Sequence, residues 1–438
     1  MKQKLFVLSM DAMVHEDVAY MMTKPNFKRI MEKRAEVEKV LTVYPTSTYP
    51  AHTSLMTGCY PGKTGVFSNF PLKVFNGDTI AHWPLYKKSV FVEDIFAAAK
   101  RAGCTTASVY WPICGKNPNI DYIINEYFFY YPDEYKHVEE IFAEQGASEA
   151  ALKAVRENMH LFPRVEGGQN PLAERFDGFL MGCTCSLIRN EQPDVLLVHN
   201  CILDTYRHSS GVFSDRIPKG LDRTDEWLGD VIAAMEDAGV YEETNFIILS
   251  DHGQREYTRT VHINKLLAQG GFIDIAPDGT IYDWQAYSQT NGKSTTIHLR
   301  DKDNKILYKR VYDYLLELQK NPEYGIEKVY TMEELAARYG QGGPFAFMME
   351  TDEETYFGNG FTGDLIVNVP EGTRKACHGY EPHKGAQPVF LAHGPAFRDG
   401  ATLKTANVVD IAPTLAAVLG QTMPEADGRV LTELLRGE

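Results

Sequence analysis

Short apolar runs recur along the chain, each closed by a turn signal and each followed or preceded by a stretch with helical spacing. Residues 5–9 (LFVLS) are the first run, and Asp11 falls just past its end. Residues 23–35 then place Phe27, Ile30 and Met31 at helical spacing behind Thr23 as an N-cap and Pro25 in the first turn. Residues 89–103 read as an amphipathic helix closed by Gly103, and residues 105–112 as a strand running into an aromatic corner at Tyr110 and Trp111. Two buried-strand patterns follow, at 195–198 and 246–249, with a strongly periodic helix at 222–239 between them. The first delivers Asp204 and His208, and the second delivers Asp251 and His252.

This repeated alternation of strand and helix predicts an α/β core with a largely parallel central sheet flanked by helices. Between 254 and 361 the rhythm changes to turn-rich alternating pieces and a helix, which predicts a smaller inserted α+β cap. The core returns after it with strands in 364–370 and 387–397 and a last helix in 406–420, Asp410 at its cap. The predicted organisation is therefore a core in two parts, 1–253 and 362–438, with the cap, 254–361, between them. The aromatic stretch 126–135 (EYFFYYPDEY), within a less readable region from 117 to 192, receives no role.

Charge narrows the partners. With 44 Lys+Arg against 59 Asp+Glu, 44 − 59 = −15, the chain has no general attraction for nucleic acid or for an anionic membrane. A phosphate-bearing substrate would need bound cations to reverse the field locally. Seven scattered cysteines, of which only Cys183 and Cys185 stand close, read as reduced thiols rather than a disulfide framework or a CxxC-type zinc site. The apolar run near the start is shorter than the roughly 7 to 15 residues of a signal core, and no stretch approaches the ~18 apolar residues of a membrane span. These features lead to the expectation of a cytoplasmic protein with no membrane partner and with self-association into a homo-oligomer an open option.

The candidate chemistry lies in residues 44–69, where Thr46, Ser47 and Thr48 share an irregular stretch with His52 and two glycine turns. Any of the three hydroxyls can serve as a nucleophile only with a neighbouring base or a metal. Carboxylates and imidazoles just past apolar strands, at Asp11, Asp204 with His208, and Asp251 with His252, supply zinc-type donors. In an open parallel sheet such strand ends converge on one site.

These pieces resemble the alkaline phosphatase superfamily, and specifically its nucleotide pyrophosphatase/phosphodiesterase branch. The match runs from Asp11 through 45–69 (PTSTYPAHTSLMTGCYPGKTGVFSN), LDTYRH at 203–208, SDHG at 250–253 and CHGYEP at 377–382 to VVDIAPTL and PEADGRVL near the end. The resemblance implies an alkaline-phosphatase-like fold and two zinc ions per chain. It implies Thr48 as the nucleophile, with Asp11, Thr48, Asp251 and His252 on one zinc and Asp204, His208 and His378 on the other. Asn69 matches the side chain that holds a phosphoryl oxygen. His52 then reads as a hydrogen-bonding partner of the nucleophile loop, and Cys59 loses a sulfatase reading because Thr48 stands at the nucleophile position.

The activity implied is hydrolysis of phosphodiester or nucleotide pyrophosphate bonds through a phosphothreonine on Thr48. The alternative is a phosphonate hydrolase, phosphonoacetate-like, or a phosphomonoesterase on the same metals, and a non-catalytic metal sensor is the reading from another class. The substrate is a small phosphate ester or nucleotide, expected against Tyr49, Tyr110 and Trp111 as base-stacking rings and Arg207 as a contact for a second anion; His262 and His298 read as ordinary strand, loop or cap residues, with lining the site from the cap as the alternative for either. Arg207 and Ala51 depart from the family pattern, which has a small residue and an asparagine there.

Overall fold

The computed structural model describes residues 3–75, 78–81, 83–129, 133–163 and 173–437. An eight-stranded sheet organises them: β1 (Lys4–Met10), β2 (Ala35–Leu41), β3 (Thr106–Val109), β4 (Tyr122–Ile124), β5 (Val195–Asn200), β6 (Thr244–Leu249), β7 (Phe390–His393) and β8 (Thr402–Asn407). They lie in the order β8-β2-β7-β6-β1-β5-β3-β4. All neighbours are parallel except that β7 runs antiparallel to both β2 and β6.

The alternation of side chains along β1 splits the core in two. Phe6, Leu8 and Met10 join one apolar cluster, built with the helices Pro25–Met31, Ala173–Glu191 and Ile217–Asp237. Leu5 and Val7 join the other, with Ile95–Arg101, Ile411–Val418 and the helix α1 (Thr48–Thr57). Because helices cover both faces, β1, β5 and β6 are apolar without alternation, which is why they stand out in the sequence.

A third apolar cluster has all its buried members within residues 261–357, with Leu72, Leu365 and Ile366 packed against them. It packs the helices Ile263–Gln269 and Lys305–Gln319 on an antiparallel four-stranded sheet that includes Ala286–Thr290 and Ser294–Leu299. One strand differs from the sequence reading. Ile366–Asn368, expected as the returning core, pairs antiparallel with Arg259–His262, and the central sheet is rejoined only at Phe390. Its three residues are half-buried or exposed, so no apolar signal tied it to the main core. Among the described residues no helix is long and apolar enough to cross a membrane.

Candidate functional site

Register alone brings the first donors together. Met10 pairs with Asn200 and Ser9 with Leu249, so the residues just past β1 and β6, Asp11 and Asp251, emerge level with each other. The backbone N–H of Asp11 donates to the Asn200 carbonyl at 3.0 Å, and that of Ala12 to Asp251 Oδ1 at 3.2 Å. His252 Nε2 lies 3.1 Å from Asp251 Oδ2, 3.6 Å from Asp11 Oδ1 and 3.2 Å from Thr48 Oγ1. Thr48 opens α1, with Ser47 in extended backbone before it, so the hydroxyl sits at the positive end of a helix.

The loop before that helix is held from several sides. His52 donates from Nδ1 to the Thr48 carbonyl at 2.8 Å, leaving Nε2 to accept from the Ser9 hydroxyl at 2.8 Å. Burial, with His199 nearby, pulls His52 well below its ordinary pKa, so it serves as a neutral strut between β1 and α1. The Tyr49 N–H donates to Asn69 Oδ1 at 2.8 Å. This fixes the amide and leaves its Nδ2 as the donor for the cavity.

The second donor set rides on helix α2 (Ile202–Ser210), where Asp204 and His208 stand one turn apart. Asp177 anchors the start of this helix by accepting from the N–H groups of Cys201 and Ile202 at 2.9 and 2.8 Å. Asp204 Oδ1 and His208 Nε2 are 3.3 Å apart. The rings of His378 and His252 pack with centroids 4.2 Å apart, and His378 and His208 with centroids 5.2 Å apart. Donor atoms of Asp11, Asp251 and His252 form one group within 4.8 Å, and those of Asp204, His252 and His378 another.

The protonation pattern shows what these groups lack. Burial, and then the charge of Asp204, raises Asp11 well above the ordinary carboxylate range, while burial and the charge of Asp11 raise Asp251. Burial would raise Asp204 too, but His208, His378 and His252 hold it low. Burial opposes a proton on His208 and the Asp204 carboxylate outweighs it, whereas burial takes His378 down to about 4. Asp11 Oδ1, Asp251 Oδ2 and His378 Nδ1 are buried without a hydrogen-bond partner. Crowded carboxylates, neutral imidazoles and orphaned acceptors fit divalent cations, which would ionise the former and use the lone pairs of the latter.

A cavity of about 350 Å³ opens over these residues. Thr48, Asn69, Asp11, Asp204, His208 and His378 line it, whereas Asp251 and His252 lie beneath, fully buried. Its aromatic wall is Tyr49, Phe70, Trp83 and Phe128, with Trp83 4.7 Å from Tyr49, 4.0 Å from Phe70 and 4.6 Å from Phe128 between ring centroids. Thr290, Asn291, Gly292 and Tyr356 arrive from the segment with its own apolar cluster.

Of the expected substrate contacts, Tyr49 lines the cavity and three others do not. Trp111 is 1% exposed and meets His52 edge-on, as core packing under α1. Tyr110 is buried and donates its hydroxyl to the Tyr127 carbonyl at 2.9 Å. Arg207 is fully buried and turned away from the cavity: Nε donates to the Ala12 carbonyl at 3.0 Å, and the guanidinium also bonds Val212 O and Asp17. The position preceding His208 on α2 points inward, so an arginine there becomes a brace between α2 and the loop after Asp11. Neither His262 nor His298 lines the cavity: His262 accepts from the Gly360 N–H, and His298 packs against the Pro344 carbonyl.

Sequence reasoning missed His199, Glu126, Cys201 and most of the aromatic wall. His199 Nε2 donates to Asp11 Oδ2 at 3.1 Å, and its position one residue before the end of β5, the strand that leads to Asp204, was the available signal. Glu126 and Phe128 come from the aromatic stretch left without a role.

The model of the family described as type I phosphodiesterase/nucleotide pyrophosphatase matches residues 5–394. A bis(5'-adenosyl)-triphosphatase of Xenopus laevis is 24% identical over 428 residues, covering 96% of this chain and 78% of that protein. Rat ectonucleotide pyrophosphatase/phosphodiesterase family member 1 is 23% identical over 402 residues, or 86% of this chain, which spans only 36% of that relative. Among solved structures, murine ectonucleotide pyrophosphatase/phosphodiesterase 5 superposes with a TM-score of 0.67 at 20% identity, covering 99% of this chain and all of that one. An inactive variant of the murine protein, in complex with AMP, gives 0.67 at 19% identity, covering 100% of both chains.

These relatives correct the cytoplasmic expectation, because they are ectoenzymes, acting outside the cell, by name. The seven thiols that suggested a reducing compartment are free, but six are buried and the seventh half-buried, so packing alone accounts for their state. By its sequence and its fold the chain belongs to the type I phosphodiesterase/nucleotide pyrophosphatase family, a branch of the alkaline phosphatase superfamily.

Proposed function

We propose that this chain hydrolyses phosphodiester or nucleotide pyrophosphate bonds through a phosphothreonine on Thr48. The observation that carries the reading is the position of Thr48 Oγ1, at a helix N-terminus, on the floor of the cavity and 3.2 Å from His252 Nε2. Two cations, zinc by the family resemblance, would be held by Asp11, Thr48, Asp251 and His252 and by Asp204, His208 and His378, and when bound they supply positive charge at the attacking and leaving oxygens.

The protein's own groups do the rest. Thr48 Oγ1 forms the new bond to phosphorus as the bond to the leaving oxygen breaks, and water later cleaves the phosphothreonine and returns the hydroxyl. The N-terminus of α1 and Asn69 Nδ2 face the phosphoryl oxygens with donors. Tyr49, Phe70, Trp83 and Phe128 offer apolar π-faces of the kind that hold a nucleobase. Among the described residues no lysine or arginine lines the cavity, which favours a diester over the more highly charged monoester dianion. With Arg207 facing the core, the phosphonate alternative loses the residue that suggested it. The relatives support a nucleotide substrate, one by its bis(5'-adenosyl) name and another by its complex with AMP.

Turnover of bis-p-nitrophenyl phosphate and of p-nitrophenyl phosphate, with and without zinc, tests the proposal on the wild type and on Thr48→Ala. Faster diester turnover that vanishes in the variant is the expected result. Diester turnover that survives in Thr48→Ala removes the nucleophile assignment, and monoester turnover in excess of diester favours the phosphomonoesterase alternative.

A further inference from the structure

At the edge of the cavity the donor atoms of His208, Cys377 and His378 lie within 4.8 Å of one another. We propose that Cys377 is a sulfur ligand for the cation held by Asp204, His208 and His378, giving that half of the site a preference for thiophilic metals. The inference rests on the metal reading above and deepens it.

Cys377 closes the strand Lys375–Cys377, directly before His378. The same strand orients the facing imidazole, because His208 Nδ1 donates to the Ala376 carbonyl at 2.8 Å. That bond turns Nε2 toward Asp204 Oδ1, 3.3 Å away, as the nitrogen whose proton a bound cation would displace. Gly292 packs on the sulfur from the other side: a Cβ built on it would lie 2.5 Å from Cys377 Sγ. The thiol, 6% exposed, is thereby shielded from bulk water while remaining on the cavity lining beside two histidines.

A second thiol provides the contrast. Cys201 Sγ lies 3.7 Å from His199 Nε2 and groups with Asp11 and His199. But His199 points Nε2 at Asp11 Oδ2 at 3.1 Å and Nδ1 at the Tyr110 carbonyl at 3.3 Å, so this imidazole serves to orient the Asp11 carboxylate rather than to pair with Cys201. On coordination the Cys377 thiol releases its proton to solvent and its sulfur lone pair goes to the metal. Thiolate donors select zinc and similar soft cations over magnesium or manganese.

Titration of the full chain with cobalt(II), and separately cadmium, tests the assignment. The expected result is a sulfur-to-metal charge-transfer band in the wild type and in Cys201→Ser that is lost in Cys377→Ser and Cys377→Ala. Metal content, read by elemental analysis, stays at the wild-type value in variants shown folded by circular dichroism. Metal bound without a charge-transfer band in the wild type, or a band that persists when Cys377 is replaced, overturns the proposal while leaving the metal reading intact. Failure of the wild type to bind cobalt, cadmium or zinc overturns the metal reading, and this inference with it.

Discussion

The floor and the wall of the cavity are built on opposite principles. The floor, Asp11, Thr48, Asp251 and His252, stands on two adjacent strands, β1 and β6, whose register sets Asp11 level with Asp251, and on the start of helix α1 within hydrogen-bonding distance of them. The wall, Tyr49, Phe70, Trp83, Phe128, Thr290–Gly292 and Tyr356, is gathered from segments far apart in sequence and meets only through tertiary packing. The floor is crowded with buried charge and strained electrostatically without cations, whereas the wall is largely aromatic and carries no charged side chain. Chemistry common to a family can therefore reside in the floor while substrate choice varies in the wall.

The largest effect expected of this difference comes from removing the metal. Chelation should abolish turnover and destabilise the floor, by about 4 kcal/mol relative to a metal concentration roughly a thousandfold above Kd. The sign of the pH dependence follows from Asp11 and Asp251, whose folded pKa values are raised in the metal-free protein. A carboxyl raised on folding binds protons the unfolded chain has already lost, so metal-free stability falls as pH rises above the unfolded carboxylate value near ~4. The difference in melting temperature between loaded and metal-free protein should thus widen between pH 5 and pH 8. A gap independent of pH would mean that the carboxylates are not the groups the cations relieve.

Next in size is Arg207, which stands next to His208 in sequence and outside the cavity in space. Arg207→Gln leaves Asp17 buried and unpaired, and breaking such a pair costs about 3–5 kcal/mol. Denaturant unfolding should show that loss, with KM unchanged in the protein that folds, and replacing both partners with apolar residues, Arg207→Met with Asp17→Leu, should recover much of it. A stable Arg207→Gln with a raised KM would move Arg207 back to the substrate.

The same contrast explains what the sequence reveals. Asp11, Asp204 and Asp251 are legible because each lies within about one helical turn past the end of an apolar strand, and His378 because a family motif surrounds it. The fold is legible for the same reason, since the buried strands β1, β5 and β6 are uninterrupted apolar runs. Trp83 and Phe128 are illegible because an aromatic residue in a loop looks alike whether it packs inward or lines a cavity. Arg207 misleads by charge: its direction depends on which side of α2 faces the Ala12 carbonyl, a tertiary fact. Ile366–Asn368 misleads by being a strand whose partner lies a hundred residues back, outside the central sheet.

A test of the wall is smaller in energy and specific to binding. Trp83→Ala removes a ring in contact with Tyr49, Phe70 and Phe128, and loss of one base-stacking platform is worth about 1–3 kcal/mol. KM for a nucleotide diester should rise roughly tenfold or more with kcat little changed, the pattern of lost uniform binding. KM for a methyl p-nitrophenyl diester, which carries no base, should move less. Equal rises for both substrates would show that Trp83 shapes the floor rather than the nucleotide side.

The smallest effect belongs to Tyr110, the ring that sequence placed in the wall and the structure places behind it. Its hydroxyl donates to the Tyr127 carbonyl at 2.9 Å, and its ring meets Phe176 at a 5.0 Å centroid distance. Burial, with Glu126 nearby, raises its phenol well above the ordinary range, so it remains a neutral donor across the working pH. Tyr110→Phe keeps the ring and removes one hydrogen bond, for a net loss of about 1 kcal/mol that unfolding measurements can read. KM for the nucleotide diester should be unchanged, because the hydroxyl points along the aromatic stretch and not into the cavity. A raised KM with unaltered stability would reverse the assignment, putting Tyr110 in the wall and making the division between floor and wall less sharp than the packing shows.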